Sequence, residues 1–496
     1  MLRAALANWI VDTIVPANRL VPKAYLHWLP AVRDCMVYVV THLSAERLAP
    51  KIVEQLELPK RTRAETRLLR LISRVPGLQK LGQVLARNRH LSPALHNALV
   101  GLESSIRDIS AREVKRIIAQ ELGDWMRRFD VRLPRTLISE GSVSAVIRFR
   151  WRNPETGAVE RGVFKVLKPF VPQFFAEDMQ MLQGLADFFE SRAEQHGFSP
   201  GVLADTFTKV RQLLEHEVEF ENEQVALGAA SSMYRGMKDV CVPRVIPSLC
   251  RPNITAMTEV AGSKVTDVAP RLSKGKRSRL AEQILEAMMI VPLFSSGESV
   301  AFHADPHAGN ILYEKNSRKL IILDWALTGQ LSPEQRKGLA LLFLSVALRD
   351  PLGTAAAIKE LAQDGGSRAS IIRSRVEVFL DALPPATIPS ASETMKLLEQ
   401  LAVKGVRFPS ALVMLSKVMF TLDGVLYDVA GEKSFIGASV RKHLVRRIFS
   451  REMKVALPVG NRDFFAMQGS VFLCPARVLV RLQKSVLDRL LPARDQ

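Results

Sequence analysis

The stretch HADPHAGNILYEKNSRKLIILDWA, residues 303–326, decides the fold of this chain. It begins with a polar loop that ends at Asn310. Two short apolar runs follow, separated by Asn316-Ser317, and the second run ends at Asp324. Such a pattern predicts a β-hairpin with a polar loop before it and a carboxylate after it. Helical periodicity on both sides, with a few short strands earlier in the chain, predicts an α+β fold.

Three side chains of this stretch suit magnesium-dependent phosphoryl transfer. Asp324 would hold the metal between nucleotide phosphates, Asn310 would bind it from the loop, and Asp305 would orient an acceptor hydroxyl. Each residue alone has an ordinary explanation in a turn or at the end of a strand. Their joint spacing favours the catalytic interpretation, and His303 is expected to brace the loop.

A second hairpin is predicted upstream, because apolar residues alternate with polar ones over 143–149 and a further strand pattern follows at 162–167. Lys165 lies on the second strand between apolar neighbours, where a lysine is costly unless it meets an anion. In kinases a strand lysine of this kind pairs the nucleotide phosphates and a helix glutamate, although a solvent-facing lysine is the alternative. Backbone N–H groups of the preceding loop could approach phosphates. The loop residues are Gly141, Ser142, Val143 and Ser144.

Composition limits the function classes. The 496 residues predict two to four packed units, and 69 Lys and Arg against 50 Asp and Glu give a formal charge of +19. This charge suggests an anionic partner such as nucleotide phosphates or an acidic lipid surface. Nucleic acid is disfavoured because only five Trp and five Tyr are available for stacking. The four cysteines show neither a disulfide framework nor a zinc pattern.

Residues from about Pro76 to Gly431 resemble the UbiB (AarF-type) family of atypical kinase-like proteins, which is associated with ubiquinone and other prenyl-lipid metabolism. The loop HADPHAGN is similar to the family's catalytic loop HADPHPGN. The run KLGQ at 80–83 keeps the family's KxGQ signature, and LLEHEVEFENE at 213–223 resembles the segment with the ExD signature and the helix glutamate.

The resemblance implies roles for several residues. Glu223 takes the place of the helix glutamate that pairs with Lys165, and ATP and Mg²⁺ are the implied cofactors. The adenine hinge contact falls on Glu259, with Thr258 as an equal candidate. A regulatory latch is implied over the nucleotide site, in which Lys80 pairs with Glu217 or Glu219. Its four residues are Lys80, Gln83, Glu217 and Glu219.

The chain departs from the family pattern at three places. The loop at 139–145 replaces an alanine-rich nucleotide loop, and Glu219 replaces the aspartate of ExD. Asp324-Trp325-Ala326 replaces the Asp-Phe-Gly triplet, which removes the backbone freedom of glycine from a position that switches in many kinases.

The expected organisation is a two-lobed, protein-kinase-like core with a helical N-terminal extension and a helical C-terminal region. Five segments are predicted: a basic amphipathic helical region at 1–74, a helical extension with KxGQ at 75–130, a kinase-like N-lobe with a helical insertion at 131–262, a C-lobe with the catalytic and metal-binding loops at 263–345, and a basic helical region at 346–496.

The expected function is Mg-dependent ATPase or small-molecule or lipid kinase activity that supports ubiquinone or other isoprenoid-quinone biosynthesis at a membrane surface. The alternative is a non-catalytic, nucleotide-gated scaffold or lipid-handling protein that organises biosynthetic enzymes. Expected partners are ATP, a prenyl lipid or quinone precursor, an anionic membrane and quinone-biosynthesis enzymes. We expect no membrane-spanning segment, and a cytoplasmic, peripherally membrane-associated protein or one on the matrix side of the mitochondrial inner membrane.

Basic residues mixed with apolar ones at helical spacing in the C-terminal region are the expected membrane contact. A solvated helix face is the alternative explanation. These residues are Arg441, Lys442, Arg446, Arg447, Arg451, Lys454, Arg462, Arg477, Arg481, Lys484 and Arg489.

Overall fold

A computed structural model describes residues 2–21, 23–86, 108–197, 201–363, 368–384, 389, 391–431, 466, 468–474 and 476–479. The chain forms two compact units. Unit 1 comprises Met1–Gln224 and Val245–Glu259, and unit 2 comprises Val225–Arg244 and Val260–Gln496. Of the C-terminal basic residues predicted to contact a membrane, all except Arg477 lie outside the described residues.

Ten strands are described, and they form one sheet in unit 1 and two sheets in unit 2. They are β1 Ser139–Glu140, β2 Ser144–Arg152, β3 Val159–Leu167, β4 Val240–Cys241, β5 Ile254–Thr258, β6 Ser263–Lys264, β7 Val300–His303, β8 Ile311–Glu314, β9 Lys319–Ile322 and β10 Thr328–Leu331.

Helices make up most of unit 1. They are α1 Leu2–Trp9, α2 Ala17–Leu20, α3 Leu29–His42, α4 Ala45–Glu57, α5 Ala64–Ile72, α6 Pro76–Ala86, α7 Ala111–Leu122, α8 Trp125–Arg128, α9 Phe170–Glu190, α10 Val202–Val218 and α11 Phe220–Met233, the last of which continues into unit 2. A π-helical turn at Ile10–Ile14 and 3₁₀ turns at Lys23–Trp28 and Pro247–Leu249 complete this set.

The sheet of unit 1 is antiparallel, with the order β1-β2-β3-β5. The predicted hairpin of β2 and β3 is confirmed, and its turn is built by local polar chemistry. The Asn153 side chain accepts the N–H of Glu155 at 2.9 Å, and Gly157 takes the left-handed conformation at φ 68°. Phe149 and Phe164 stack on the buried face of this hairpin with ring centroids 3.9 Å apart.

The N-terminal helices of unit 1 share a hydrophobic core with the long helices that follow β3. Leu71 and Leu78, from α5 and α6, are buried together with Leu182 and Leu185 of α9 and Val210 of α10. The helical insertion that the sequence places between Lys165 and Glu223 therefore lies against α6, which carries the KxGQ signature.

Residues 243–246 form no strand, although they lie beside β5. The structure instead has β4 at Val240–Cys241, and Val245 makes an isolated bridge to Met257. Pro243 lacks a backbone N–H group, so a strand cannot continue its hydrogen bonds through that residue.

Unit 2 contains a four-stranded sheet of order β4-β9-β8-β6 and a two-stranded sheet of β7 and β10. The predicted hairpin of β8 and β9 is confirmed, with Ile311 opposite Ile322. The helices of this unit are α12 Val265–Val268, α13 Lys274–Leu285, α14 Val291–Phe294, α15 Pro333–Ala347, α16 Pro351–Leu361, α17 Ala369–Ala382, α18 Ala391–Val403 and α19 Ser410–Ala430, with a π-helical turn at Glu286–Ile290 and a 3₁₀ turn at Ala269–Arg271.

Helix α19 has the length and apolar composition of a membrane-spanning helix, and within the described ranges it alone meets that test. It packs against α13 and α18, and its Leu422 and Leu426 are buried. Ser416 also donates to Glu399 of α18 at 2.6 Å. These contacts are those of a core helix, in which one face is buried in protein.

From the burial of Lys51 we predict how the free energy of unfolding depends on pH. It is buried on α4, where its ammonium donates to the Ser73 carbonyl, and burial lowers its pKa to about 8 from 10.5. Between these two values the unfolded chain holds a proton that the folded chain has lost, so the free energy of unfolding rises with pH. We expect Lys51→Met to flatten this rise between about pH 8 and 10 in urea unfolding.

Lys60→Met is the matched control, because Lys60 is exposed on the segment after α4. It should keep the parental pH dependence. An equal slope in the parent and in Lys51→Met would show that Lys51 does not titrate in this window.

Candidate functional site

In unit 1 the site is built around an ion pair between β3 and α11. Lys165 lies opposite Val146 of β2 and Thr255 of β5, so sheet pairing on both sides fixes its backbone. Its Nζ atom is 2.7 Å from Oε1 and 2.8 Å from Oε2 of Glu223. The two side chains are 14% and 3% exposed. The predicted pair of Lys165 and Glu223 is thus formed as a bidentate contact, although 58 positions separate the two residues in the sequence.

The loop that precedes β2 has a defined conformation. The Gly141 N–H donates to the Ser144 carbonyl at 2.8 Å, and the Val143 carbonyl accepts the Lys168 N–H at 2.9 Å. The Val143 side chain belongs to a buried apolar cluster, so only its backbone could meet a ligand. The N–H groups of Ser142 and Val143 donate to no acceptor within the described residues. Two adjacent backbone donors are therefore available for an anion.

Lys80 of α6 pairs with Glu217 near the end of α10. The Ser142 hydroxyl donates to the other oxygen of the same carboxylate at 3.2 Å. Helix α6 is thereby joined to the loop that precedes β2 through one glutamate. Gln83 is buried one turn further along α6.

Glu219 is not part of this contact, and its inclusion in the predicted latch is corrected. Its side chain is 50% exposed and accepts the Asn222 amide at 2.7 Å. Helix α10 ends at Val218, so Glu219 lies at the break before α11, two positions after Glu217. Residues two apart do not share a helix face, which explains why only one of these glutamates meets Lys80.

The catalytic-type loop of unit 2 is braced by His303. The Asp305 N–H donates to Nδ1 of His303 at 3.2 Å, so the proton is on Nε2, which donates to the Leu323 carbonyl at 2.9 Å. Burial lowers the pKa of His303, which favours this neutral form. The His303 ring therefore joins the backbone of Asp305 to that of Leu323, the residue before Asp324.

Asn310 and Asp324 are brought to the same end of the β8–β9 hairpin. The Leu323 N–H donates to the Asn310 carbonyl at 2.9 Å, which extends the hairpin by one pair. The Asn310 amide nitrogen donates to the Asp305 carbonyl at 3.1 Å. This bond leaves the amide oxygen available, since among the described residues none donates to it.

The Asp324-Trp325-Ala326 triplet is held by packing. Asp324 takes a left-handed backbone conformation at φ 53°, and the Ala326 N–H lies 3.3 Å from its Oδ1. Trp325 is fully buried, with its ring 5.0 Å from that of His303 in an edge-on arrangement. The positive φ falls on the aspartate, so alanine in the third position meets no conformational conflict here.

These residues fit Mg²⁺ by their chemistry. Asp324 and Asn310 offer a carboxylate and an amide oxygen, which are hard ligands of the kind that Mg²⁺ takes from proteins in nucleotide sites. Groups of three or more His, Cys, Asp or Glu that could hold a metal are absent from the described part of the chain. Mg²⁺ needs no such group, because it keeps waters and binds substrate phosphates.

Glu259 is engaged elsewhere by its side chain. Its Oε1 accepts Nε of Arg148, on β2, at 2.6 Å, and its N–H donates to the Arg161 carbonyl at 3.2 Å. The side chain thus joins the residue after β5 to β2, across the intervening strand β3. An adenine contact at this position would fall to the Glu259 backbone carbonyl, because the N–H is already bonded within the sheet.

The sequence interpretation missed Lys168, which is fully buried at the end of β3 and pairs with Asp108. The strand pattern did indicate that this lysine is buried. Phe164, Val166 and Lys168 have the same parity along the strand, and the first two lie on its buried face. A lysine on that face requires an anionic partner.

Comparison with protein families identifies the chain. A profile of the ABC1 atypical kinase-like domain matches residues 101–358, about half of the sequence. The chain belongs to the ABC1 atypical kinase-like family. The predicted UbiB-type resemblance is thereby confirmed, together with the α+β kinase-like fold.

Individual relatives agree with this assignment to the ABC1 family. ACTIVITY OF BC1 COMPLEX KINASE 7, chloroplastic, from Arabidopsis thaliana is 27% identical over 370 residues, which are 73% of this chain and 51% of that protein. The probable protein kinase UbiB of Haemophilus ducreyi is 23% identical over 275 residues, 55% of this chain and 50% of that protein. The chain spans about half the length of the curated relatives it matches.

A solved structure of Rv3197 from Mycobacterium tuberculosis in complex with erythromycin is also similar. The TM-score is 0.46 at 17% identity, with 78% of this chain and 94% of that chain covered.

The pair of Lys80 and Glu217, within the KxGQ and ExD segments of this ABC1 chain, predicts coupled stabilities. Lys80→Ala leaves a half-buried glutamate without its ammonium, and Glu217→Ala leaves the ammonium alone, whereas the double variant removes both charges. We expect the double variant to cost about 1–3 kcal/mol less than the sum of the single variants in urea unfolding.

The cycle of Lys80→Ala with Glu219→Ala is the matched control, and its effects should add, because Glu219 does not contact Lys80. Additivity in both cycles would contradict a latch between α6 and α10.

Proposed function

We propose that this ABC1-family chain binds Mg-ATP and acts as an ATPase or as a kinase of a small or lipidic substrate, in support of isoprenoid-quinone biosynthesis at a membrane surface. The contact of Lys165 with both carboxylate oxygens of Glu223 carries the proposal. In kinases this pair must be in place for activity, since it holds the lysine toward the α/β-phosphates. A charged pair this well buried is otherwise expensive to keep.

The loop from Ser139 to Ser144, which we call the nucleotide loop, supports the proposal of phosphate binding. The N–H groups of Ser142 and Val143 are the available donors of this loop, and Lys165 would supply the positive charge. Backbone donors on a short loop bind phosphate oxygens without a specific side chain. This explains how the loop could serve without the alanine-rich sequence of the family.

The proposed metal-binding and acceptor-orienting groups belong to unit 2. Asn310 and Asp324 would hold Mg²⁺, which neutralises phosphate charge when it is bound. Asp305, held by His303, would orient the hydroxyl of an acceptor or a water molecule.

A small or lipidic acceptor is favoured by the packing of unit 1. Helix α6 lies against α9 and α10 and reaches the nucleotide loop through Glu217 and Ser142. A helix held beside that loop would compete with a protein substrate for space. The Haemophilus ducreyi relative is named a probable protein kinase. Phosphorylation of a protein substrate by this chain would therefore contradict the proposal of a small or lipidic acceptor.

A nucleotide-gated scaffold without turnover is the second candidate. The burial of Trp325 against His303 favours it, because a triplet fixed in this way does not switch as a glycine-containing one can. Nucleotide binding with no phosphate release by the parent protein would support this candidate.

Asp324→Asn tests the metal assignment. The substitution removes a ligand charge while it keeps the side chain's size, so we expect Mg-dependent phosphate release to fall by about 10²-fold or more with the fold intact. Phosphate release and circular dichroism measure the two effects.

Glu314→Gln is the matched control on the same hairpin, since it makes the same charge change on β8, where Ser317 contacts the carboxylate. It should hydrolyse ATP at the parental rate. Turnover by Asp324→Asn equal to that of the control would show that Asp324 does not bind the metal.

Membrane association is proposed to be peripheral and electrostatic, at the cytoplasmic face or the matrix side of the mitochondrial inner membrane. The formal charge of +19 supports it. Each basic residue near an anionic surface contributes about 1 kcal/mol, and screening shortens the interaction from about 10 Å at 0.1 M salt to about 3 Å at 1 M. We expect flotation with anionic liposomes to fall steeply over this range, with neutral liposomes as the control.

Salt-insensitive flotation would instead indicate insertion of an apolar segment. Equal binding to neutral liposomes would argue against an electrostatic contact.

A further inference from the structure

Lys168 lies at the end of β3 as the one fully buried lysine among the described residues. Its ammonium pairs with Asp108, lies 3.5 Å from Glu140, and donates to the Gly141 carbonyl at 2.8 Å. The Asp108 and Glu140 side chains are themselves 6% and 8% exposed. Two carboxylates and a loop carbonyl therefore surround one ammonium out of contact with water.

Backbone and amide donors complete this network. Oε2 of Glu140 accepts the N–H groups of Asp108 and Ile109 at 3.2 and 3.4 Å. The second Asp108 oxygen accepts the side-chain amide of Gln79, on α6, at 3.2 Å. Such bonds offset the cost of burying the charges, and the removal of one member leaves the others uncompensated.

The network acts on the carbonyl groups of the nucleotide loop. Lys168 holds the Gly141 carbonyl through its side chain and the Val143 carbonyl through its backbone N–H. The Ser144 carbonyl accepts the Gly141 N–H. With these carbonyls engaged by the protein, the loop offers N–H groups to an anion, and phosphate binding requires this arrangement.

We propose that Lys168 is a positioning residue that fixes the loop from Ser139 to Ser144 in its anion-binding conformation and ties it, through Asp108, to helix α6. This inference rests on the proposed nucleotide binding only for its functional consequence. The tie is separate from the one through Lys80 and Glu217, because it reaches α6 by Gln79 and uses neither of those side chains.

The test compares the full-length parent with Lys168→Met by hydrogen–deuterium exchange of loop peptides without nucleotide, and by titration with Mg-ATP. We expect exchange of the Gly141 N–H, which donates to the Ser144 carbonyl in the parent, to rise by about tenfold or more, as the loss of a charge-assisted hydrogen bond implies. The Kd for Mg-ATP, or KM where turnover is measured, should rise by a similar factor, while kcat changes less.

Arg67→Met is the matched control. Arg67 is also a buried cation of unit 1, and it donates to the carbonyls of Gln55 and Pro59, away from the loop. It should lower stability without a change in loop exchange or nucleotide affinity. Equal loop exchange in Lys168→Met and in the control would overturn the proposal.

Asp108→Asn is the milder variant if Lys168→Met does not fold, because it keeps the size of the side chain and leaves Glu140 beside the lysine. Its loop exchange should also rise, and an unchanged loop would overturn the proposal in the same way. A parent that binds no Mg-ATP would refute the proposed function, whereas the exchange measurement would still decide whether Lys168 positions the loop.

Discussion

Three lysine ammonium groups that leave water in unit 1 each meet a carboxylate, and the architecture of this unit depends on these pairs. Lys165, Lys168 and Lys80 each find an acidic partner far away in the sequence, at separations of 58, 60 and 137 residues. The first pair places α11 on the sheet, the second brings the segment before α7 to the nucleotide loop, and the third joins α6 to α10. An unpaired charge at any of these positions would cost several kcal/mol, so these pairs act together to specify one arrangement of helices around the sheet.

The sequence predicted the features that depend on residues close together in the chain. Alternation over β2, β3, β8 and β9 predicted both hairpins, since side chains of period two define a face before any partner is known. The spacing of Asp305, Asn310 and Asp324 predicted that they share one region, and the pairing of β8 with β9 explains why Asn310 and Asp324 lie at the same end. Family membership followed from the same loop.

Contacts between distant segments could not be read in the same way. The sequence allowed Lys80 to meet Glu217 or Glu219, and the choice depends on where α10 ends, which is set by tertiary packing. Lys168 was overlooked because its partners, Asp108 in a loop and Glu140 on the two-residue strand β1, lie in segments with no distinctive pattern. Strand parity placed the lysine on the buried face, but no periodicity identifies the groups that neutralise it.

The N-terminal helices share a hydrophobic core with α9 and α10, so the matched family profile and the folded unit have different boundaries. The family profile begins at residue 101, yet Val40, Leu71 and Leu78 lie in the same apolar cluster as Leu182 and Val210. The first residue of the family profile is therefore not the first residue of a folded unit. A fragment cut at the profile boundary would leave the apolar faces of two long helices in water, where association with other chains is the favoured way to cover them.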